Sequence, residues 1–329
     1  MVLERPAPAG AGPLRLVERE PESPATGMLL LRVAACGVCR TDLQLCEGDL
    51  AMHKRPVIPG HQIVGEVVEV GDEVQGWNVG DRAGVAWLAG ADGTCDKCRS
   101  GRENLCAHAT FTGWDVDGGY ATHATVRADF ALPIPGGFGD LAAAPLLCGG
   151  VIGFRSLKRS AVQPGGRLGL YGFGASALIT LQIARHWGCR VFVATRSAAE
   201  RERALSLGAE WAGGYADTPP EPLDAAITFA PSGDVVRAAL RATDRGATVA
   251  INAIHLDRLP EMPYEELWWE RRLASVANFT RADALEFLAL AAHIPVRTTF
   301  ETHPLTDANL ALARLARGEV DGAAVLVPG

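Results

Sequence analysis

Gly172-Phe173-Gly174-Ala175-Ser176-Ala177 joins an apolar strand-type run, Arg167–Tyr171, to an apolar helix-type run, Ala175–Trp187. A G-x-G-x-x-A pattern at a strand-to-helix turn leaves few folds open. Gly172 makes the tight turn, Gly174 lets the backbone approach a pyrophosphate, and the small Ala177 permits close helix–strand packing. The free N–H groups and dipole at the helix start, Ala175, then favour phosphate. Strands expected at Arg190–Ala194, Asp224–Phe229, Ala247–Ile254 and Leu273–Ala277 alternate with helices expected at Ala198–Leu207 and Asp234–Arg241. Such alternation builds βαβ units, so the expected class is α/β with a doubly wound, Rossmann-type parallel sheet.

The end of the second strand should choose the cofactor. An acid there binds the ribose of NAD, whereas an arginine accommodates the 2′-phosphate of NADP. This chain has Thr195-Arg196-Ser197, two hydroxyls and a guanidinium with no carboxylate. These are good phosphate ligands, so NADP is favoured slightly over NAD. The plainer alternative makes Arg196 a solvated or adenine-stacking residue.

Upstream the texture is β-rich, with short runs at Met28–Ala34, Ile63–Val70, Arg82–Trp87 and Tyr120–Val126 between turns rich in Gly, Pro and Asp. The tail returns to mixed structure, with helices at Arg281–Ala292 and Thr306–Arg317 and a strand at Ala323–Val327. The organisation expected is a β-rich domain over 1–148, a nucleotide domain over 149–279 and a return to the first domain over 280–329. A chain of 329 residues is long enough for two full cores. A net charge of −7 without any basic stripe argues against a nucleic-acid partner. Met1–Leu14 has no apolar signal-peptide core, and the uncharged run Leu168–Ala184 reads as a strand and helix around a glycine turn, so no membrane association is expected.

Eight cysteines are too few for a disulfide scaffold in a chain of this length, and their clustering suits metal binding in a reducing cytoplasm. Asp92-x-x-Cys95-x-x-Cys98-x7-Cys106 places four candidate ligands in one short loop. Thiolate spacings of this kind wrap a tetrahedral structural zinc without strain, and a carboxylate oxygen is an accepted fourth ligand. The plainer alternative is a run of reduced surface thiols. Cys36, Cys46 and Cys189 read as reduced, mostly buried thiols.

Three more zinc-type residues, Cys39, His61 and Cys148, are far apart in sequence. Alone, each would more commonly be a buried thiol or a core histidine. Their surroundings are Cys36-Gly37-Val38-Cys39-Arg40-Thr41-Asp42, Pro59-Gly60-His61-Gln62, Gly101-Arg102-Glu103-Asn104-Leu105-Cys106, Asp117-Gly118-Gly119-Tyr120 and Pro145-Leu146-Leu147-Cys148. These segments closely resemble, in order, the zinc-dependent alcohol dehydrogenases of the medium-chain dehydrogenase/reductase superfamily. The resemblance implies a GroES-like catalytic domain with its zinc lobe near 88–108, and reversible hydride transfer between a primary alcohol or aldehyde and NAD(P). It further implies two zincs per chain, the catalytic one held by Cys39, His61 and Cys148 with a fourth position open. Thr41 maps onto the proton-relay hydroxyl, Asp42 onto the carboxylate that orients the ligand histidine, and Arg40 onto a cofactor-phosphate contact, with a surface cation as its plainer alternative. Trp87 and Leu50 fall on the substrate pocket, where a leucine leaves more room than an indole; the alternative is that both are ordinary core residues. Association as a homodimer or homotetramer is implied by analogy. Trp268-Trp269 is expected to serve helix packing or a subunit interface.

The chain departs from the family at Gln62, where glutamate is frequent, at Gln44, where a relay histidine is frequent, and at Asp92. A glutamine cannot take up a proton at neutral pH, which leaves water or a base such as His53 to finish the relay. Two other readings keep much of the fold: a metal-free enone or quinone reductase, and a catalytically weak nucleotide-binding redox sensor. The Cys39, His61 and Cys148 trio speaks against the first.

Overall fold

The computed structural model describes residues 1–253, 256–294 and 296–329. They form two compact units: Met1–Cys148 with Thr280–Ala292 and Arg297–Gly329, and Gly149–Phe279 with His293–Val296.

The first unit is built on a seven-stranded sheet centred on Met28–Val38. That strand pairs antiparallel with Gln62–Val70, His123–Arg127 and Ala323–Val327. Leu29, Leu30, Leu31 and Val33 are buried and Arg32 is exposed, so the strand is largely covered on both faces and opens to solvent at Arg32. Its last residues, Cys36–Val38, are clamped between Gln62–Ile63 and Ala324–Leu326, so the chain enters Cys39 from a fixed direction. The helix Arg40–Glu47 follows at once and ends on Gly48 at φ +91°, whose N–H reaches the Gln44 carbonyl at 3.0 Å.

The second unit holds six parallel strands. In spatial order they are Trp211–Gly213, Arg190–Ala194, Arg167–Tyr171, Leu223–Thr228, Thr243–Ile251 and Arg272–Ser275, the 3-2-1-4-5-6 order of the doubly wound dinucleotide fold. The expected α/β class, with a β-rich unit and a Rossmann sheet, is therefore the one observed. The helix Gly149–Ser160 falls between Cys148 and Arg167, where no element is expected from sequence. In the fold Gly153 lets this helix lie against Ala175–His186: an added Cβ would stand 2.3 Å from Thr180 Oγ1.

Several boundaries differ from expectation. Tyr120 lies in a bend ahead of His123–Arg127, and Arg82–Val85 stops short of Trp87. The late helix begins at Ala308, after a 3-10 turn at Leu305–Asp307. The fifth nucleotide strand ends at Ile251, and Ile254, expected within it, lies outside the described residues. Trp268 and Trp269 lie in turns rather than a helix, at 50% and 48% exposure.

Candidate functional site

Cys39, His61 and Cys148 arrive from three separate elements and converge, with their ligand atoms all within 4.8 Å of one another. Cys39 is the N-cap of the Arg40–Glu47 helix, His61 immediately precedes the strand Gln62–Val70, and Cys148 follows the 3-10 turn Ala144–Leu147. The Cys39 and Cys148 sulfurs are 3.7 Å apart. Two thiolates on one tetrahedral zinc, each at about 2.3 Å from it, stand about 3.8 Å apart, so the residues present fit that ion.

Asp42 organises this trio. Its Oδ2 accepts from Cys39 N–H at 2.8 Å, and its Oδ1 accepts from Gly60 N–H at 3.1 Å and lies 3.2 Å from His61 Nδ1. Both side chains are almost fully buried. With Nδ1 turned to the carboxylate, Nε2 faces the thiols and is the atom that can bind a metal once its proton is displaced. Burial opposes charge on His61, yet the Asp42 carboxylate outweighs it and holds the imidazole up to about 10. The hydrogen bond from Cys148 draws the Cys39 thiol well below its usual range, against the cost of burial. Thr41 Oγ1 lies 3.8 Å from the Cys39 sulfur and is buried.

The Asp117-Gly118-Gly119-Tyr120 segment supports the histidine from behind. Gly118 and Tyr120 N–H groups donate to Ile58 and Pro59 carbonyls at 2.7 and 3.0 Å, and Gly119 N–H donates to Gly60 at 2.9 Å. A Cβ on Gly118 would stand 2.0 Å from the Gly60 carbonyl oxygen, and one on Gly60, at φ +97°, would stand 2.3 Å from the Tyr120 ring. The glycines are there so that two backbones can touch.

Trp87 stands beside the trio, its ring 6.1 Å from that of His61. Sequence reasoning missed two further members of this wall, Phe111 and Trp114, at 4.7 and 6.0 Å from Trp87. Pairing of Thr110–Phe111 with Leu88–Gly90 brings Phe111 there, and the turn that follows, where Trp114 N–H donates to the Phe111 carbonyl at 3.3 Å, brings Trp114. His53 stacks on Trp114 at 3.9 Å and pairs with Asp115 at 2.7 Å. Leu50 is partly buried against the same core as Trp114.

Asp92, Cys95, Cys98 and Cys106 also converge within 4.8 Å, with 3.6 Å between the Cys95 and Cys98 sulfurs. Asp92 Oδ1 accepts from Cys95 and Thr94 N–H at 2.9 and 2.8 Å, which holds its carboxyl well below the usual range. His108 N–H points at the Cys106 sulfur at 3.3 Å, a contact that suits a thiolate. This set too fits a zinc ion. Cys36, Cys46 and Cys189 are free and buried.

In the nucleotide unit Gly172 adopts φ +94° and Gly174 caps the helix Ala175–His186. A Cβ on Gly174 would meet nothing within 4 Å, whereas Ala177 is fully buried. That combination leaves the turn's outer side open for a pyrophosphate while closing its inner side. Arg196 is exposed, and Ser197 caps the helix Ala198–Ser206, accepting from Glu200 N–H at 3.3 Å. The expectation of a carboxylate-free strand end fails here, because Thr195 Oγ1 hydrogen-bonds the Glu200 side chain. The helix turns back over the strand end and delivers the acid from five residues on. Arg40 is exposed at the start of its helix.

A family description, the alcohol dehydrogenase GroES-like domain, matches residues 25–136. A probable alcohol dehydrogenase, AdhA, of Mycobacterium tuberculosis is 51% identical over 331 residues, covering 99% of this chain and 96% of that protein. An alcohol dehydrogenase of Geobacillus stearothermophilus is 34% identical over 322 residues, covering 95% of each. Among solved structures, an alcohol dehydrogenase of the archaeon Aeropyrum pernix superposes with a TM-score of 0.87 at 26% identity, covering 99% of each chain.

Proposed function

The chain belongs to the alcohol dehydrogenase family, and from that premise we propose that it is a zinc-dependent member of the medium-chain dehydrogenase/reductase superfamily and which residues carry its reaction. It is an oxidoreductase that acts on alcohols, and the glycine turn at Gly172–Ala177 supports NAD(P) as its hydride carrier. Cys39, His61 and Cys148 hold a catalytic zinc, and Asp92, Cys95, Cys98 and Cys106 hold a structural one. When bound, the catalytic zinc supplies a Lewis acid that acidifies an alcohol or polarises an aldehyde, and the nicotinamide exchanges the hydride.

The protein's own groups do the rest. Asp42 fixes the tautomer and direction of His61 and anchors the Cys39 backbone, so both ligand loops keep one geometry. The Thr41 hydroxyl, beside Cys39, would accept the substrate's proton as its own O–H proton passes to the cofactor ribose and from there to water. Gln44 and Gln62 cannot carry that proton further, because an amide does not titrate near neutrality. Trp87 and the aromatic rings behind it exclude water and present an apolar face to the substrate, with Leu50 leaving room for medium-sized or aromatic primary alcohols and aldehydes. Gly172, Gly174, Ala175 and Ala177 form the pyrophosphate turn, and Arg40 makes a further phosphate contact. Thr195, Arg196 and Ser197 face the adenosine ribose, and Arg196 gives NADP a slight preference. The enzyme works in the cytoplasm as a homodimer or homotetramer.

The observation that carries this reading is the 3.7 Å pair of sulfurs beside a histidine tethered to a buried carboxylate. Metal analysis together with benzyl alcohol oxidation tests it. Two zincs per chain with turnover are expected, and Cys39→Ala should remove one zinc and the turnover while cofactor still binds. Turnover that survives Cys39→Ala would overturn the assignment.

A further inference from the structure

Thr195 is nearly fully buried at the end of the second nucleotide strand, and its hydroxyl donates to the Glu200 carboxylate. Glu200 stands in the first turn of the helix Ala198–Ser206, so its backbone is fixed by the Ser197 cap while its side chain is held by the strand. Arg201, the neighbouring cation, is turned inward: its guanidinium donates to the Thr195 and Arg196 carbonyls at 3.0 and 3.3 Å. Arg196 is left exposed on the outer side. The strand end therefore carries one exposed cation, Arg196, one anchored anion, Glu200, and a second cation, Arg201, tied to the strand-end carbonyls.

Arg196 and Glu200 act oppositely on the two cofactors. A carboxylate at this point accepts hydrogen bonds from a free ribose 2′-hydroxyl but repels a 2′-phosphate, which an arginine attracts. We propose that Glu200 is the specificity-determining residue of the cofactor site, a ribose acid supplied from the following helix, which opposes Arg196 and keeps the preference for NADP small. The proposal rests on the reading that Thr195–Ser197 faces the adenosine ribose. A chain with both charges accepts both cofactors, and the balance moves when either is removed.

The test is the dissociation constant of NAD and of NADP, measured calorimetrically on the zinc-loaded enzyme and on Glu200→Gln and Arg196→Ala. The amide oxygen of Glu200→Gln still accepts from Thr195, so the helix start keeps its anchor. In Glu200→Gln, NADP should bind about five- to tenfold tighter relative to NAD, a range set by screening at an exposed edge. Arg196→Ala should weaken NADP alone. An unchanged ratio in Glu200→Gln, or equal changes for both cofactors, overturns the role of Glu200, and does so whether or not Arg196→Ala behaves as expected. If Arg196→Ala also leaves NADP untouched, the ribose assignment of the whole strand end falls with it. Thr195→Val, which releases the Glu200 side chain without removing its charge, should shift the ratio in the same direction by a smaller factor.

Discussion

Asp42 and His61 are joined by a contact of 3.2 Å from a carboxylate oxygen to Nδ1, and the same carboxylate accepts the Cys39 N–H at 2.8 Å. One buried acid thus positions two residues of the proposed zinc site from different elements. Asp42→Asn replaces one acceptor oxygen by an NH2 group that faces an N–H donor, so at least one of these bonds must break. Loss of such a supporting partner lowers metal affinity about 10- to 100-fold. Competition with a chromophoric chelator measures this directly, and equal zinc retention in Asp42→Asn and wild type would refute the organising role.

Two glycine substitutions should behave in opposite ways. Gly118→Ala places a methyl 2.0 Å from the Gly60 carbonyl oxygen, a backbone atom that cannot swing aside. The expected loss is about 3 kcal/mol of stability, at the upper end of overpacking costs, with displacement of His61 and reduced zinc uptake. Gly174→Ala meets nothing within 4 Å. It should melt like wild type yet bind NAD(P) more weakly, since the methyl occupies the side from which pyrophosphate must approach. Thermal melts with and without cofactor separate the two cases. A Gly174→Ala protein with wild-type cofactor affinity would show that phosphate does not rest on this turn.

The nucleotide unit was legible because three independent signals agree there: a glycine turn, a strand before it and a helix after it. The 3-2-1-4-5-6 strand order follows from that fold class. The helix Arg40–Glu47 was less visible, being short, capped by a cysteine and preceded by a glycine-bearing strand. The Cys39, His61 and Cys148 trio has no chelating spacing, so only its resemblance to a family pointed to it. The Asp92 lobe, by contrast, shows its ligands through spacing alone. Glu200 was missed because the sequence rule looks for an acid on the strand end itself, whereas here a helical turn carries it back. Phe111 and Trp114 were missed because a two-residue strand pairing and the turn after it, both too short for any periodic pattern, put them beside Trp87.

Removing the lobe's carboxylate should separate stability from chemistry. Asp92→Ala takes away the proposed oxygen ligand and the acceptor for Thr94 and Cys95 N–H. Zinc content should fall from two towards one per chain and the unfolding temperature should drop. Initial turnover at low temperature should persist, because the Cys39 site shares no ligand with the lobe. Unchanged zinc content would mean that three thiolates suffice and that Asp92 is a turn-former only.

Acid sensitivity has an identifiable contributor in Glu266. Its carboxylate takes two hydrogen bonds of 2.7 Å from Arg237 and further ones from Arg241, which outweigh burial and hold it down to about 2 against an ordinary 4.5. A depressed carboxylate contributes its full stability above the ordinary value and loses it as pH falls towards the folded one. Glu266→Gln should therefore cost about 1 kcal/mol at pH 7, an amount reduced by the exposure of Arg241. The cost should shrink as the pH falls from about 4.5 towards 2. Urea unfolding of both proteins at pH 7 and pH 3 reads the difference, and a gap that stays constant would rule the ion pair out.

The aromatic wall makes the last prediction. Trp87 packs on Phe111 at 4.7 Å and on Trp114 at 6.0 Å, and its ring is 6.1 Å from His61. If Trp87 forms the apolar face on which an alcohol's side chain rests, shortening it should matter most for the substrates that touch it. Trp87→Ala should raise KM for benzyl alcohol by about tenfold or more, since burial of a ring of this size stabilises binding by at least 1.4 kcal/mol. Ethanol, with one methyl to bury, should lose far less. Zinc content should stay at the wild-type value, because Trp87 supplies no ligand. Equal losses for benzyl alcohol and ethanol would place Trp87 among the residues that support the His61 loop, and the substrate would have to rest elsewhere.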